Sequence, residues 1–349
     1  MIIKDSLREV LKNLLNTYKE CDSLILSLSF SNEEGKRKSY FGGIRIIKSN
    51  IVLSIINITQ KELREIEPTI REFKIKYIFI DVEKKLPFEF STDKESKRSN
   101  IEYSNIYAEA TERLNFAKII PFSSTDLTCS AAINLLREEL GNNLSGNNIT
   151  IVGLGSIGFQ LSLSLIREGV NINCFTKDYT KGLIIANSIN TIRSEYTLAS
   201  FNLYKSLRTA ILSSKIFIES SSAINNIDKS FVDDFQLHRL ILDIGKQAFT
   251  KDYVENISLK SLNFKRLDIS NTLTELIYRK LFPSNISDVV SSKSNYNSRI
   301  NLISGGWKGL PGDIVVDNAK SPRFVIGILN KDFTLDPIYN DFDDWLKSL

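Results

Sequence analysis

Residues 149–158 read Ile-Thr-Ile-Val-Gly-Leu-Gly-Ser-Ile-Gly, a short apolar run that enters Gly153-x-Gly155-x-x-Gly158 without a break. Each glycine has its own steric reason to be there. Gly153 permits a tight turn off a strand. Gly155 lets a diphosphate approach the backbone where a Cβ would collide, and Gly158 lets the next helix pack close to a sheet. Ser156 and Ile157 complete the loop, and the helix that follows carries Leu161, Leu163, Leu165 and Ile166. Gly169 stands where a helix C-terminal cap belongs, and residues 172–175 form a second apolar strand. The stretch is a complete βαβ unit. It predicts a dinucleotide with its diphosphate on the helix N-terminus; a plain glycine turn or another nucleotide ligand is the alternative.

The same alternation continues downstream. Helices over 180–192 and 204–212 and strands near 196–201, 215–219, 240–245 and 262–268 predict an open, mostly parallel sheet covered on both faces. Upstream, an amphipathic helix over 4–20, strands over 40–47, 51–58 and 76–81, and a helix from Thr59 to about Phe73 make a smaller α/β domain. Thr59 and Glu62 form a capping box for that helix, and Pro68 interrupts or kinks it. Residues 83–104 read as a polar loop and 284–300 as a mobile Ser/Asn-rich stretch. Residues 313–317 and 323–329 pair as a hairpin. The expected fold is therefore α/β: a Rossmann-type doubly wound parallel sheet over 121–283, a smaller α/β domain over 1–120 before it, and a C-terminal β-hairpin tail within 284–349.

Composition narrows the function. The 45 basic and 41 acidic residues give a net charge of +4 and are interleaved, so neither nucleic acid nor an anionic membrane is called for. Cys21, Cys129 and Cys174 are far apart and form no metal-binding pattern. With no signal peptide or apolar run long enough to span a bilayer, the expected setting is the reducing cytoplasm. His238 is the single histidine, which excludes a histidine-rich metal centre and places acid–base work on Lys, Asp, Tyr or water. A homo-oligomer is compatible with this composition.

An acidic residue that grips an NAD ribose ends the second strand of such units; here that place holds Thr176, followed by Lys177 and Asp178. A hydroxyl and a cation suit a 2′-phosphate, favouring NADP; NAD follows if Asp178 swings back. The loops after the later strands supply Ser220, Ser221 and Ser222, then Asp243, Gly245 and Lys246. Ser220, Ser221 and Gly245 would line the cofactor, and Lys246 would reach a substrate carboxylate or polarise a carbonyl. Ser124, Thr125, Asp126 and Thr128 form a dense polar cluster at a helix start. Ser124, Thr125 and Thr128 either bind an anionic substrate there or simply cap the helix.

Together, the small first domain, the Ser/Thr-Asp-x-Thr segment, the linking helix and Gly-Leu-Gly-Ser-Ile-Gly resemble the two-domain amino-acid dehydrogenases and, more loosely, shikimate and methylenetetrahydrofolate dehydrogenases. Amino-acid dehydrogenases carry a catalytic lysine after a glycine run in the first domain; Phe41-Gly42-Gly43-Ile44-Arg45 is the nearest stretch here, with arginine and no lysine. The resemblance implies hydride transfer between NAD(P) and a small polar, anionic metabolite, with Lys246 or Asp126 aiding proton transfer. A dinucleotide-bound lyase or cyclodeaminase, and a non-catalytic NAD(P)-binding sensor, are the other expectations.

Overall fold

The computed structural model describes residues 3–29, 39–83, 106–282, 293–297, 300–304, 309–332 and 334–348. Residues 84–104 of the expected loop and most of the stretch over 284–300 lie outside these residues.

The first layer is built from α1 (Ile3–Thr17), β1 (Ser23–Ser29), β2 (Tyr40–Ile47), β3 (Asn50–Ile56), α2 (Gln60–Glu72), β4 (Tyr77–Asp81), α3 (Ile106–Arg113) and β5 (Lys118–Phe122). Its sheet runs β2-β3-β1-β4-β5, with only β2 antiparallel. Leu26, Leu28, Leu53, Ile55, Ile78 and Ile80 alternate inward along the central strands and bury against Leu7, Leu11, Ile66 and Ile70 of α1 and α2. The capping box on α2 is present: the Thr59 amide donates to Glu62 and the Glu62 amide donates to Thr59 Oγ1. Pro68 does not interrupt α2 as expected. It lies on the exposed face, where water can take the bond that its ring denies to the Arg64 carbonyl. The sheet runs on to Phe122, two residues past the boundary expected at 120.

After α4 (Ser124–Leu140) come β6 (Asn148–Val152), α5 (Ser156–Arg167), β7 (Asn171–Phe175), α6 (Tyr179–Ile192), β8 (Phe201–Tyr204), α7 (Leu207–Leu212), β9 (Ile216–Glu219), β10 (Leu240–Asp243), α8 (Lys251–Leu259), β11 (Phe264–Arg266) and α9 (Ser270–Leu281). All six strands are parallel, in the order β8-β7-β6-β9-β10-β11. Counted from β6 this is 3-2-1-4-5-6, the doubly wound Rossmann order. Ile149, Ile151, Ile172 and Ile218 point into one core layer, and Val152, Phe217 and Ile241 into the other. β8 lies at 201–204 and not at 196–201, because Asn190 of α6 bonds both backbone groups of Phe201 and fixes it opposite Ile172. Tyr196 and Leu198, read as strand, are exposed.

Chain contacts divide the protein into two compact units, 1–274 and 275–349. The second holds β12 (Lys293–Asn295), β13 (Asn301–Ile303), β14 (Ile314–Val316), β15 (Phe324–Leu329), β16 (Leu335–Asp341) and α10 (Phe342–Lys347). The expected hairpin is β14 with β15, but it is the middle of a five-stranded sheet in the order β12-β13-β14-β15-β16. Leu302, Val316, Val325, Phe342 and Trp345 give this unit a core of its own.

Candidate functional site

The glycine loop turns between β6 and α5 at the point where the strand order reverses. Gly153 adopts φ +92°, and a Cβ there would come within 2.7 Å of Ser221. A Cβ on Gly158 would sit 1.9 Å from the Gly153 carbonyl oxygen, so only glycine lets α5 approach the turn. A Cβ on Gly155 meets nothing within 4 Å, and no side chain caps α5. The first amides of α5 therefore open into a crevice of about 760 Å³. Gly153, Gly155, Ser156 and Ile157 form its floor; Thr176 and Lys177, and Ser220 and Ser221, form its two flanks. The volume lies within the range of roughly 300–1,000 Å³ common for small-molecule sites.

On the β7 flank, Asp178 caps α6, its carboxylate accepting from the Lys181 amide at 2.9 Å. Asp178 lines the crevice as well, with one carboxylate oxygen committed to that cap. Lys181, one helical turn on, also lines the crevice; the sequence reading passed over it.

On the β9 flank, the Ser220 hydroxyl donates to the carbonyls of Val152 and Gly153 at 2.9 and 3.0 Å and so pins the glycine turn. Ser221 donates its amide, at 3.0 Å, and its hydroxyl to Glu219 Oε1. Glu219 is a site residue that the sequence reading missed. It is fully buried, and its Oε2 has no hydrogen-bond partner. Burial pushes its carboxyl up to about 7, the charge of Asp243 adds to this, and the two bonds from Ser221 oppose it. Asp243 is the register neighbour of Glu219 and equally buried; it accepts the Lys246 amide at 2.8 Å and pairs with Arg266 at 3.1 Å. Gly245 is glycine for this reason: a Cβ there would lie 2.2 Å from Glu219 Oε2. Its place is over the buried carboxylate, not among the residues lining the crevice. The signal available in the sequence was a carboxylate closing an apolar strand directly before three serines.

The polar cluster at α4 takes the second of its two expected forms and caps the helix. Ser123 is the N-cap and accepts from the Asp126 amide at 3.1 Å. The Thr125 amide and hydroxyl both donate to Glu83, each at 2.6 Å, and the Ser124 amide donates to Asp81 at 3.2 Å. Thr128 donates to the Ser124 carbonyl at 2.7 Å. The amides that an anion would need are thus filled by the chain's own carboxylates, and Ser124, Thr125 and Thr128 are engaged in the capping network. Asp126 is exposed and accepts from Gln160 of α5. Neither Asp126 nor Lys246 lines the crevice.

His238 stands before the amino end of β10, away from the crevice, packed between Phe217 and Phe235; burial pushes its imidazole below the ordinary value. Among the described residues, no three His, Cys, Asp or Glu cluster to hold a metal, and no helix is long and apolar enough to cross a membrane.

No family model matches the chain, and no curated protein matches it. Among solved structures it is similar to L-tryptophan dehydrogenase from Nostoc punctiforme, at 13% identity over 74% of this chain and 75% of that one, with a TM-score of 0.44. It is also similar to shikimate dehydrogenase from Aquifex aeolicus (12% identity, 74% and 89% covered, TM-score 0.40). A third is shikimate 5-dehydrogenase from Listeria monocytogenes, in complex with shikimate and NAD (14% identity, 74% and 89% covered, TM-score 0.36). These are the Rossmann-type dehydrogenase groups that the sequence resembles.

Proposed function

We propose that this chain is an NADP(H)-dependent oxidoreductase acting on a small polar, anionic metabolite. The observation that carries the reading is the open helix start at Gly155, set at the reversal point of a 3-2-1-4-5-6 sheet and flanked by two polar loops. A nicotinamide dinucleotide fits these residues, since the space a Cβ on Gly155 would fill is empty. Bound there, it supplies or accepts the hydride.

The chain's own residues do the rest. The amides of Ser156 and Ile157, at the positive end of α5, hold the diphosphate. Thr176, Lys177 and Lys181 hold the 2′-phosphate, Asp178 being engaged at the α6 cap. Ser221 stands between the crevice and Glu219, so its hydroxyl passes a proton between the reacting oxygen and a carboxyl that titrates near neutrality. Lys246 follows β10 on the same sheet edge and serves the substrate.

Fluorescence titration with NADPH and NADH tests the reading. The expected result is one NADPH per chain, bound at least tenfold more tightly than NADH. Failure of both to bind at millimolar concentration would overturn the assignment.

A further inference from the structure

Arg45 is a cation with too few partners. Its guanidinium is half-buried in the first sheet, where Nη1 donates to Ser54 at 2.9 Å and Nη2 to Ser270 at 3.2 Å. Both acceptors are neutral hydroxyls. Nε is buried with no acceptor, and no carboxylate stands within ion-pair distance among the described residues. A buried charge is ordinarily paired. Asp268 acts on Arg45 from farther off, but its carboxylate is turned to the start of α9, accepting the Ser270 amide at 2.9 Å. Lys246 acts on the same Asp268 and makes no hydrogen bond or ion pair of its own side chain among the described residues.

Lys246 acts on Asp243 too, but Asp243 is already paired with Arg266, so Arg45 and Lys246 are left with Asp268 between them and one positive charge is uncompensated. The two cations come from different sheets. Lys246 and Asp268 follow β10 and β11 at the carboxyl edge of the second sheet. Arg45 follows a bulge in β2, where pairing with β3 shifts register between Phe41 and Ile44. Such bulges re-aim side chains. Gly43 lies beside the guanidinium, where an added Cβ would make an ordinary contact 3.7 Å from Nη1.

We propose that Arg45 and Lys246 together form the receptor for a carboxylate of the substrate, a small metabolite carrying one free carboxylate group. Arg45 offers unused donors in a planar fork that matches a carboxylate, and Lys246 supplies the second charge. This rests on the reading above in that it places the substrate on the same sheet edge as the dinucleotide.

The test is saturation-transfer NMR on the full chain, with and without NADP+, against lactate, alanine, 2-oxobutyrate and benzoate, each beside its carboxamide. At least one carboxylate should bind, at least tenfold more tightly than its carboxamide. Arg45→Gln should weaken that carboxylate at least tenfold, and Arg45→Lys should recover part of the loss. Lys246→Gln should also weaken it, and because that exposed side chain holds nothing else, this variant keeps the test decisive if Arg45→Gln does not fold. NADP+ affinity should stay within twofold in every variant. Equal binding of acids and amides, unchanged binding in the variants, or binding of NADP+ with none of the acids would each overturn the proposal. If NADP+ does not bind, the cofactor reading fails, while acid binding to the free chain and its loss in the variants still decide this one.

Discussion

Two helix starts in this chain have the same electrostatics and opposite fates. α5 begins at Gly155 with no side-chain cap and with space above its first amides. α4 begins at Ser124 with every early amide engaged by Ser123, Asp81 or Glu83. Either would attract an anion. The chain supplies its own carboxylates to one and leaves the other open, so the presence of a helix N-terminus says little about ligand binding until its donors are accounted for.

The largest expected effect sits beneath the open start. Glu219 has its carboxyl raised to about 7 from an ordinary 4.5, so between those pH values the folded chain holds a proton that the unfolded chain releases. Stability should fall as pH rises through that window, by roughly 3 kcal/mol. Glu219→Gln removes the titration. Urea unfolding should find that variant more stable than the parent at pH 8 and level with it near pH 4.5. A constant difference across the range would mean that Glu219 is ionised throughout.

The filled start offers the next test. Glu83→Ala leaves the Thr125 amide and hydroxyl without their acceptor and should cost about 1–3 kcal/mol. It also frees the Thr125 amide at the start of α4, so sulfate should restore part of the loss in a thermal melt. A variant as stable as the parent, or indifferent to sulfate, would break the comparison between the two helices.

The smallest effect sharpens what the open start holds. Lys177→Ala should weaken NADP+ about tenfold, ~1.4 kcal/mol, and leave NAD+ nearly unchanged, the neighbouring Lys181 limiting the loss. Equal losses for both cofactors in calorimetry would show that Lys177 does not read the 2′-phosphate.

What the sequence made legible follows from how local each cause is. Gly158, whose Cβ would strike the Gly153 carbonyl, and Thr59 with Glu62 act within a few residues of themselves, and the close strand-to-helix turn and the capping box stand as read. β8 was misplaced because Tyr196 and Leu198 alternate like a strand, whereas the pairing is set by Asn190 and by Ile172 across the sheet. The occupation of α4 by Glu83 is a contact across some forty residues, invisible to any local pattern. The hairpin of β14 and β15 was readable because its strands are apolar and adjacent. β12 is short and polar, and β13 joins β14 in parallel, so neither announced itself. Glu219 closes an apolar strand in the sequence; only its complete burial in the folded sheet pushes its carboxyl up to about 7.

The central claim is that the space above Gly155 belongs to a diphosphate. Calorimetric titration of Gly155→Val with NADP+ tests it most directly. A Cβ there meets no protein atom within 4 Å, so the variant should fold and melt like the parent. It should lose NADP+ affinity by about 100-fold or more, ~2.7 kcal/mol. A folded variant that binds NADP+ as tightly as the parent would contradict the account.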